Sequence, residues 1–124
     1  MDNDTLIESG GFIKLYRSML KWEWYDDINV KVLFLHLLLK ANYENKKWHG
    51  IEIQKGDCIT SISQLSKETK LTSQQVRTCI KKLKQTGEVT SKITNKYTIL
   101  HIEKYSFFQS YMQEDNKQND KQVT

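Results

Sequence analysis

Thr72-Ser73-Gln74-Gln75-Val76-Arg77-Thr78-Cys79-Ile80-Lys81-Lys82-Leu83-Lys84-Gln85-Thr86-Gly87 is the stretch that decides the fold. Thr72-x-x-Gln75 is a capping box: each side chain satisfies the other residue's otherwise unpaired backbone N–H, and a helix starts there. Gly87 supplies the left-handed position at which such a helix ends. Between them Val76, Cys79, Ile80 and Leu83 fall on one apolar stripe at helical spacing. The opposite side carries Gln74, Thr78, Lys81 and Gln85, with Arg77 on its shoulder, and no acid. A helix that buries one face and offers amides, hydroxyls and cations on the other suits a DNA groove. Arg and Gln can make paired hydrogen bonds to guanine and adenine edges, and Thr can touch a thymine methyl.

Working outward, Ser61-x-x-Gln64 is a second capping box, and it predicts a short helix to about Lys70 with Ile62, Leu65 and Ser66 inward. Leu71-Thr72 separates the two helices by a tight turn. Beyond Gly87, Val89 to Ile93 and Tyr97 to Ile102 are β-branched and aromatic runs joined by Thr94-Asn95-Lys96, which predicts a β-hairpin. Upstream, Ile51–Ile53 and Cys58–Thr60 read as short extended pieces around a Lys55-Gly56-Asp57 turn. Val30 to Asn42 predicts a strongly apolar central helix with Asn29 as its N-cap, and Asp26-Asp27 favours its positive end. Phe12-Ile13 reads as extended, with a short helix over Arg17 to Trp24. Phe107, Phe108, Tyr111 and Met112 form a last apolar patch. Residues 1–10 and 113–124 are polar and predict a flexible N-terminus and a disordered tail or linker around one domain over 11–112. The class is mostly α with a small β-hairpin (α+β), in the order of a winged helix-turn-helix.

Charge placement points the same way. Residues 70–96 hold Lys70, Arg77, Lys81, Lys82, Lys84, Lys92 and Lys96 against the single acid Glu88, although the whole chain is only +4. The remainder is therefore slightly acidic, and the surplus basicity is confined to one stretch, as on a polyanion-binding face. The candidate DNA-binding residues are Ser73, Gln74, Arg77, Thr78, Lys81, Lys82 and Gln85 on the helix, and Lys92, Asn95 and Lys96 at the hairpin tip. Lys82, Lys92 and Lys96 are assigned to phosphates, which position a protein without reading sequence.

Other chemistries find little support. A chain of 124 residues buries one core and is too short for an eight-unit barrel. Cys58 and Cys79 match neither a metal cluster nor a disulfide framework. His36 sits in an apolar helix as a satisfied boundary residue, and His49 and His101 lack ligand neighbours at metal spacing. Trp22, Trp24 and Tyr25 could stack on bases, but interleaved Glu23, Asp26 and Asp27 favour core or dimer contacts. No phosphate-cradling glycine loop or nucleophile–base set is present, so no enzyme, cofactor or metal is expected. The apolar run Val32 to Leu39 is far below the roughly 20 residues of a membrane span, and no export signal is visible, which places the chain in the cytoplasm.

Gly11-Phe12-Ile13-Lys14-Leu15-Tyr16-Arg17, Leu35 to Ala41, and Lys55-Gly56-Asp57 leading into Ile59-Thr60-Ser61 resemble a phage and mobile-element group. Its members are the replisome-organiser N-terminal domains and the DnaD-like primosome proteins. Leu65 to Thr72, Val76 to Lys84, Thr86 to Thr90 and the Thr94-Asn95-Lys96-Tyr97-Thr98 phrase are similar to that group's helix-turn-helix and wing. The resemblance covers residues 11–109. It implies an N-terminal winged helix used for DNA binding or self-association in replication initiation, with double-stranded DNA, a second copy and replication proteins as partners. That group often continues into a second, helical domain, so the resemblance implies either that the polar tail is part of a linker to such a domain or that this is a stand-alone member. Two other readings stay open: a transcriptional regulator of the same fold, and an oligomerisation or adaptor module without DNA binding. The latter would use the aromatic segment 12–25 with 105–112.

Overall fold

In the computed structural model, which describes residues 11–94 and 96–109, the first ordered turn is a 3-10 helix, Arg17–Lys21. It is shorter than the helix expected over Arg17 to Trp24. Helix α1 follows over Ile28–Lys40. Its N-cap is Asp27, whose carboxylate accepts from Val30 N at 3.1 Å, and not Asn29. Two Asx residues compete for the same role here. Asp27 wins because its second carboxylate oxygen also receives the Lys82 ammonium, a contact that Asn29 lacks.

Helix α1 buries Val30, Leu33, Phe34, Leu37 and Leu38 but leaves Val32 and Leu39 exposed. Leu35 and His36 on its flanks are half-buried, with Leu35 packed against the core, so the helix is covered around much of its cylinder and open along the strip of Ile28, Val32 and Leu39. Strands β1 (Lys46–Trp48) and β2 (Ile51–Ile53) form an antiparallel hairpin, of which β1 was not anticipated. Its two-residue turn, His49-Gly50, has φ of +49° and +77°, the pair of positive angles that a type I′ turn requires.

Strand β3 (Asp57–Thr60) leads into α2 (Ile62–Thr69), and Lys70 closes that helix in the left-handed region at φ +68°. The turn into α3 (Ser73–Gln85) is sealed by side chains. Ser66 Oγ donates to Leu71 O at 2.6 Å, and Thr69 Oγ1 donates to Leu65 O at 2.7 Å. Strands β4 (Val89–Ile93) and β5 (Thr98–Ile102) form the expected hairpin. β5 also pairs with β3, giving a three-stranded antiparallel sheet in the order β3-β5-β4.

The last element is a single turn, α4 (Tyr105–Phe108). Tyr105 packs inward from it, while Phe107, expected in an apolar patch, is exposed; the side chain of Phe108 lies outside what the structure describes. Tyr105 lies close against Gly56: a Cβ on that glycine would come within 2.7 Å of the tyrosine Cβ, and its φ is +88°. Only glycine fits both constraints. Tyr111 and Met112, and the termini 1–10 and 113–124, lie outside the described residues.

One core cluster joins the three helices to one face of the sheet: Leu33, Leu37, Leu65, Val76, Cys79, Leu83, Val89, Leu100 and Ile102 among others. Each such leucine contributes about 1.5–3 kcal/mol by leaving water. Ile53 and Ile99 are also buried but stand outside that cluster, on the β1–β2 hairpin and on the other face of the sheet. The chain is an α+β fold with two small antiparallel sheets, and no described helix is long and apolar enough to cross a membrane. Cys58 and Cys79 are free, and burial pushes both thiols up to about 11.

Candidate nucleic-acid interface

The α3 capping box closes in both directions. Thr72 Oγ1 accepts from Gln75 N at 3.0 Å, and Thr72 N donates to Gln75 Oε1 at 2.9 Å. The box at α2 closes in one direction only. Ser61 accepts from Gln64 N, but the Gln64 amide donates to Glu68 at 2.8 Å. Glu68 gathers His36 Nε2 at 2.7 Å and Lys40 Nζ at 3.2 Å as well. Those donors, Gln64 first, hold its carboxyl down at about 2. His36 is thereby a partnered boundary residue, and His101 is likewise paired, its Nδ1 2.7 Å from the buried Asp57.

With its start fixed, α3 turns Val76, Cys79 and Leu83 fully inward and leaves Gln74, Arg77, Thr78, Lys81 and Gln85 exposed; Ser73 is half-buried. The Gln74 amide reaches Thr78 Oγ1 at 3.5 Å, the outer limit of a hydrogen bond, along the same face. Among the described residues Arg77 and Lys81 make no ion pair, and neither do Lys92 and Lys96, both exposed on the β4–β5 hairpin. Asn95 lies outside the described residues.

Lys82 is placed differently from the other candidates. Its ammonium donates to Asp27 Oδ2 at 2.7 Å and lies 5.6 Å from the Trp24 ring centroid. The Lys82 hydrogen bond is the main cause that lowers the Asp27 carboxyl, and Asp27 in turn raises Lys82. Farther along, Trp24 Nε1 donates to Thr86 Oγ1 at 2.8 Å, Trp22 Nε1 donates to Glu88 at 3.0 Å, and Thr86 Oγ1 also donates to Glu88. Trp22 and Trp24 are thus half-buried against the core, and their polar ends tie the N-terminal segment to the close of α3. Lys84 Nζ donates to Ser91 Oγ at 2.9 Å, which joins α3 to β4.

The structure adds residues that sequence reasoning passed over. Trp48 lies 5.0 Å from the ring of Tyr97 and 4.2 Å from that of His49, so the β1–β2 hairpin stands beside the β4–β5 tip. That hairpin carries Lys46 and Lys47, both exposed. The available signal was Trp48-His49-Gly50-Ile51, an x-Gly turn between alternating apolar residues, but β1 is too short to show a period.

A cavity of about 290 Å³ lies away from this face, between the N-terminal segment and the Gly87–Glu88 turn, with Met19, Trp22, Phe34 and Leu38 in its lining. Among the described residues no three His, Cys, Asp or Glu side chains are grouped to hold a metal ion. No protein-family model matches this chain, and neither the curated proteins nor the solved structures yield a match.

Proposed function

We propose that this chain is a winged helix-turn-helix module that binds double-stranded DNA in the initiation of phage or mobile-element replication. One observation carries the binding role: the outward face of α3 presents Gln74, Arg77, Thr78, Lys81 and Gln85 to solvent without an acid or an ion-pair partner among the described residues. A face of that chemistry can enter the major groove, with Arg77 and Gln74 reaching base edges. The β3-β5-β4 sheet, whose tip carries Lys92 and Lys96, supports the wing, and the paired α2 and α3 with their sealed turn support the helix-turn-helix. Lys82, engaged by Asp27, is left out of the phosphate set. The replication role rests on the family resemblance of residues 11–109.

A salt series with a labelled duplex tests the reading. If the four remaining cations Arg77, Lys81, Lys92 and Lys96 neutralise phosphates, the logarithm of the association constant falls against the logarithm of salt with a slope of about −3 to −4. A salt-insensitive or negligible affinity overturns it. Footprinting at an origin against a promoter separates replication from transcriptional control.

A second reading, an adaptor or self-association module, is favoured by exposed Leu15, Tyr16, Leu20 and Phe107 on the N-terminal segment and α4. Light scattering over a concentration series distinguishes it.

A further inference from the structure

The β1–β2 hairpin carries an exposed aromatic group that the groove-binding reading does not use. Trp48 is 37 % exposed, although it contacts two other rings. Tyr97 meets it at an interplanar angle of 64° and His49 at 67°, so neither ring stacks flat on the indole. Strand alternation places Lys46, Trp48, Ile51 and Ile53 on one face of the ribbon. That face holds a cation and no acid, whereas Lys47 and Glu52 pair on the other. Lys96 adjoins Tyr97 at the tip of the neighbouring hairpin and is exposed. The turn itself holds His49 at φ +49°, a conformation that non-glycine residues adopt at a cost and that keeps the imidazole exposed beside the indole.

We propose that Trp48, His49 and Tyr97, flanked by Lys46 and Lys96, form a stacking site for the unpaired bases of a single DNA strand. Every base has a π-face that an aromatic side chain can cover, and lysines beside it follow the phosphates. In a duplex those faces are occupied by neighbouring base pairs, so this cluster distinguishes opened DNA from closed DNA. The site lies on different residues from the α3 face and shares only Lys96, at the hairpin tip, with the duplex reading. A protein holding both would grip duplex through α3 and a freed strand through the hairpin, at the edge of a melted region.

Tryptophan fluorescence of the whole chain, titrated with a twelve-nucleotide oligothymidine, tests this. Trp22 and Trp24 have their indole N–H groups bonded inside the fold, so quenching is expected to come from Trp48. Trp48→Phe keeps an aromatic face and should bind oligothymidine within about threefold of the parent while losing the quench. Trp48→Ala should weaken binding by about tenfold, in the range measured for base–aromatic stacking, with duplex affinity within about twofold of the parent. Should Trp48→Ala fail to fold, the double variant Lys46→Gln with Lys96→Gln gives a second measure. Its single-strand salt slope should be shallower by about 1.4, the share of two phosphate contacts. Absence of quenching in the parent chain overturns the proposal, as does an unchanged affinity in Trp48→Ala or an equal loss on duplex and single strand. Tighter binding of oligouridine than of oligothymidine overturns the assignment to DNA. Failure of Arg77→Ala to weaken duplex binding bears on α3 alone.

Discussion

Along α3, the side chains of Arg77, Lys81 and Gln85 form no hydrogen bond or ion pair among the described residues, whereas those of Lys82, Lys84 and Thr86 are all bonded to other elements. Lys81 and Lys82 are adjacent in sequence and chemically identical, yet one faces solvent and the other is clamped by Asp27 beside Trp24. The roughly 100° between successive helical residues makes the difference. It follows that a cluster of basic residues in a sequence overstates the charge available to a polyanion. Part of it serves the fold.

The largest effect should come from the buried row that orients both sides. Leu83 is fully buried, and Leu83→Ala should cost about 2–5 kcal/mol in denaturant unfolding by leaving a cavity between α3 and its neighbours. A cost near zero would mean that α3 is not fixed by its apolar stripe, and the contrast between its faces would lose its basis.

Exchanging stability for affinity sharpens the same contrast. Arg77→Ala should weaken a cognate duplex by about 1–3 kcal/mol and leave the melting temperature unchanged. Lys82→Ala should lower the melting temperature and leave duplex affinity within about twofold of the parent. If the two variants behave alike in both assays, the division of α3 into a working face and a structural face is wrong.

The smallest expected effect concerns Glu68 on α2, whose carboxylate is bonded to His36 and Lys40 of α1. Its folded carboxyl titrates at about 2 against an ordinary value of 4.5. Because the folded value is depressed, the stabilisation is complete above pH 4.5 and is lost as pH falls towards 2. Glu68→Gln should flatten this part of the acid limb of a stability–pH curve, whereas Arg77→Ala should leave it intact.

What the sequence revealed, and what it hid, follows the range of the forces involved. The extent of α3, its cap and its stripe are set by residues within one or two turns of each other, and all were legible. The β4–β5 hairpin was legible for the same reason. The start of α1 was not, because Asp27 outcompetes Asn29 through a lysine fifty-five positions away. Gln64 carries the right residue type for a reciprocal cap, but Glu68, already drawn towards α1 by His36 and Lys40, takes its amide. β1 escaped notice because Lys46 and Lys47 have no strand signature, and its place beside Tyr97 is a tertiary fact. The candidate DNA-binding residues were legible as a helix face, while Lys82's engagement elsewhere depended on a partner outside that helix.

The indole bridges from Trp22 and Trp24 to the close of α3 bear on how this unit could be excised and transplanted. A cut placed just ahead of α1 would look natural, since every α-helix and strand would survive it. Yet it would strip the hydroxyl of Thr86 and the carboxylate of Glu88 of their aromatic donors, and it would open the flank of Phe34, against which Trp22 rests at 4.9 Å. A graft that keeps its hold on a foreign scaffold should begin no later than Met19, so that the irregular lead-in travels with the helices it braces.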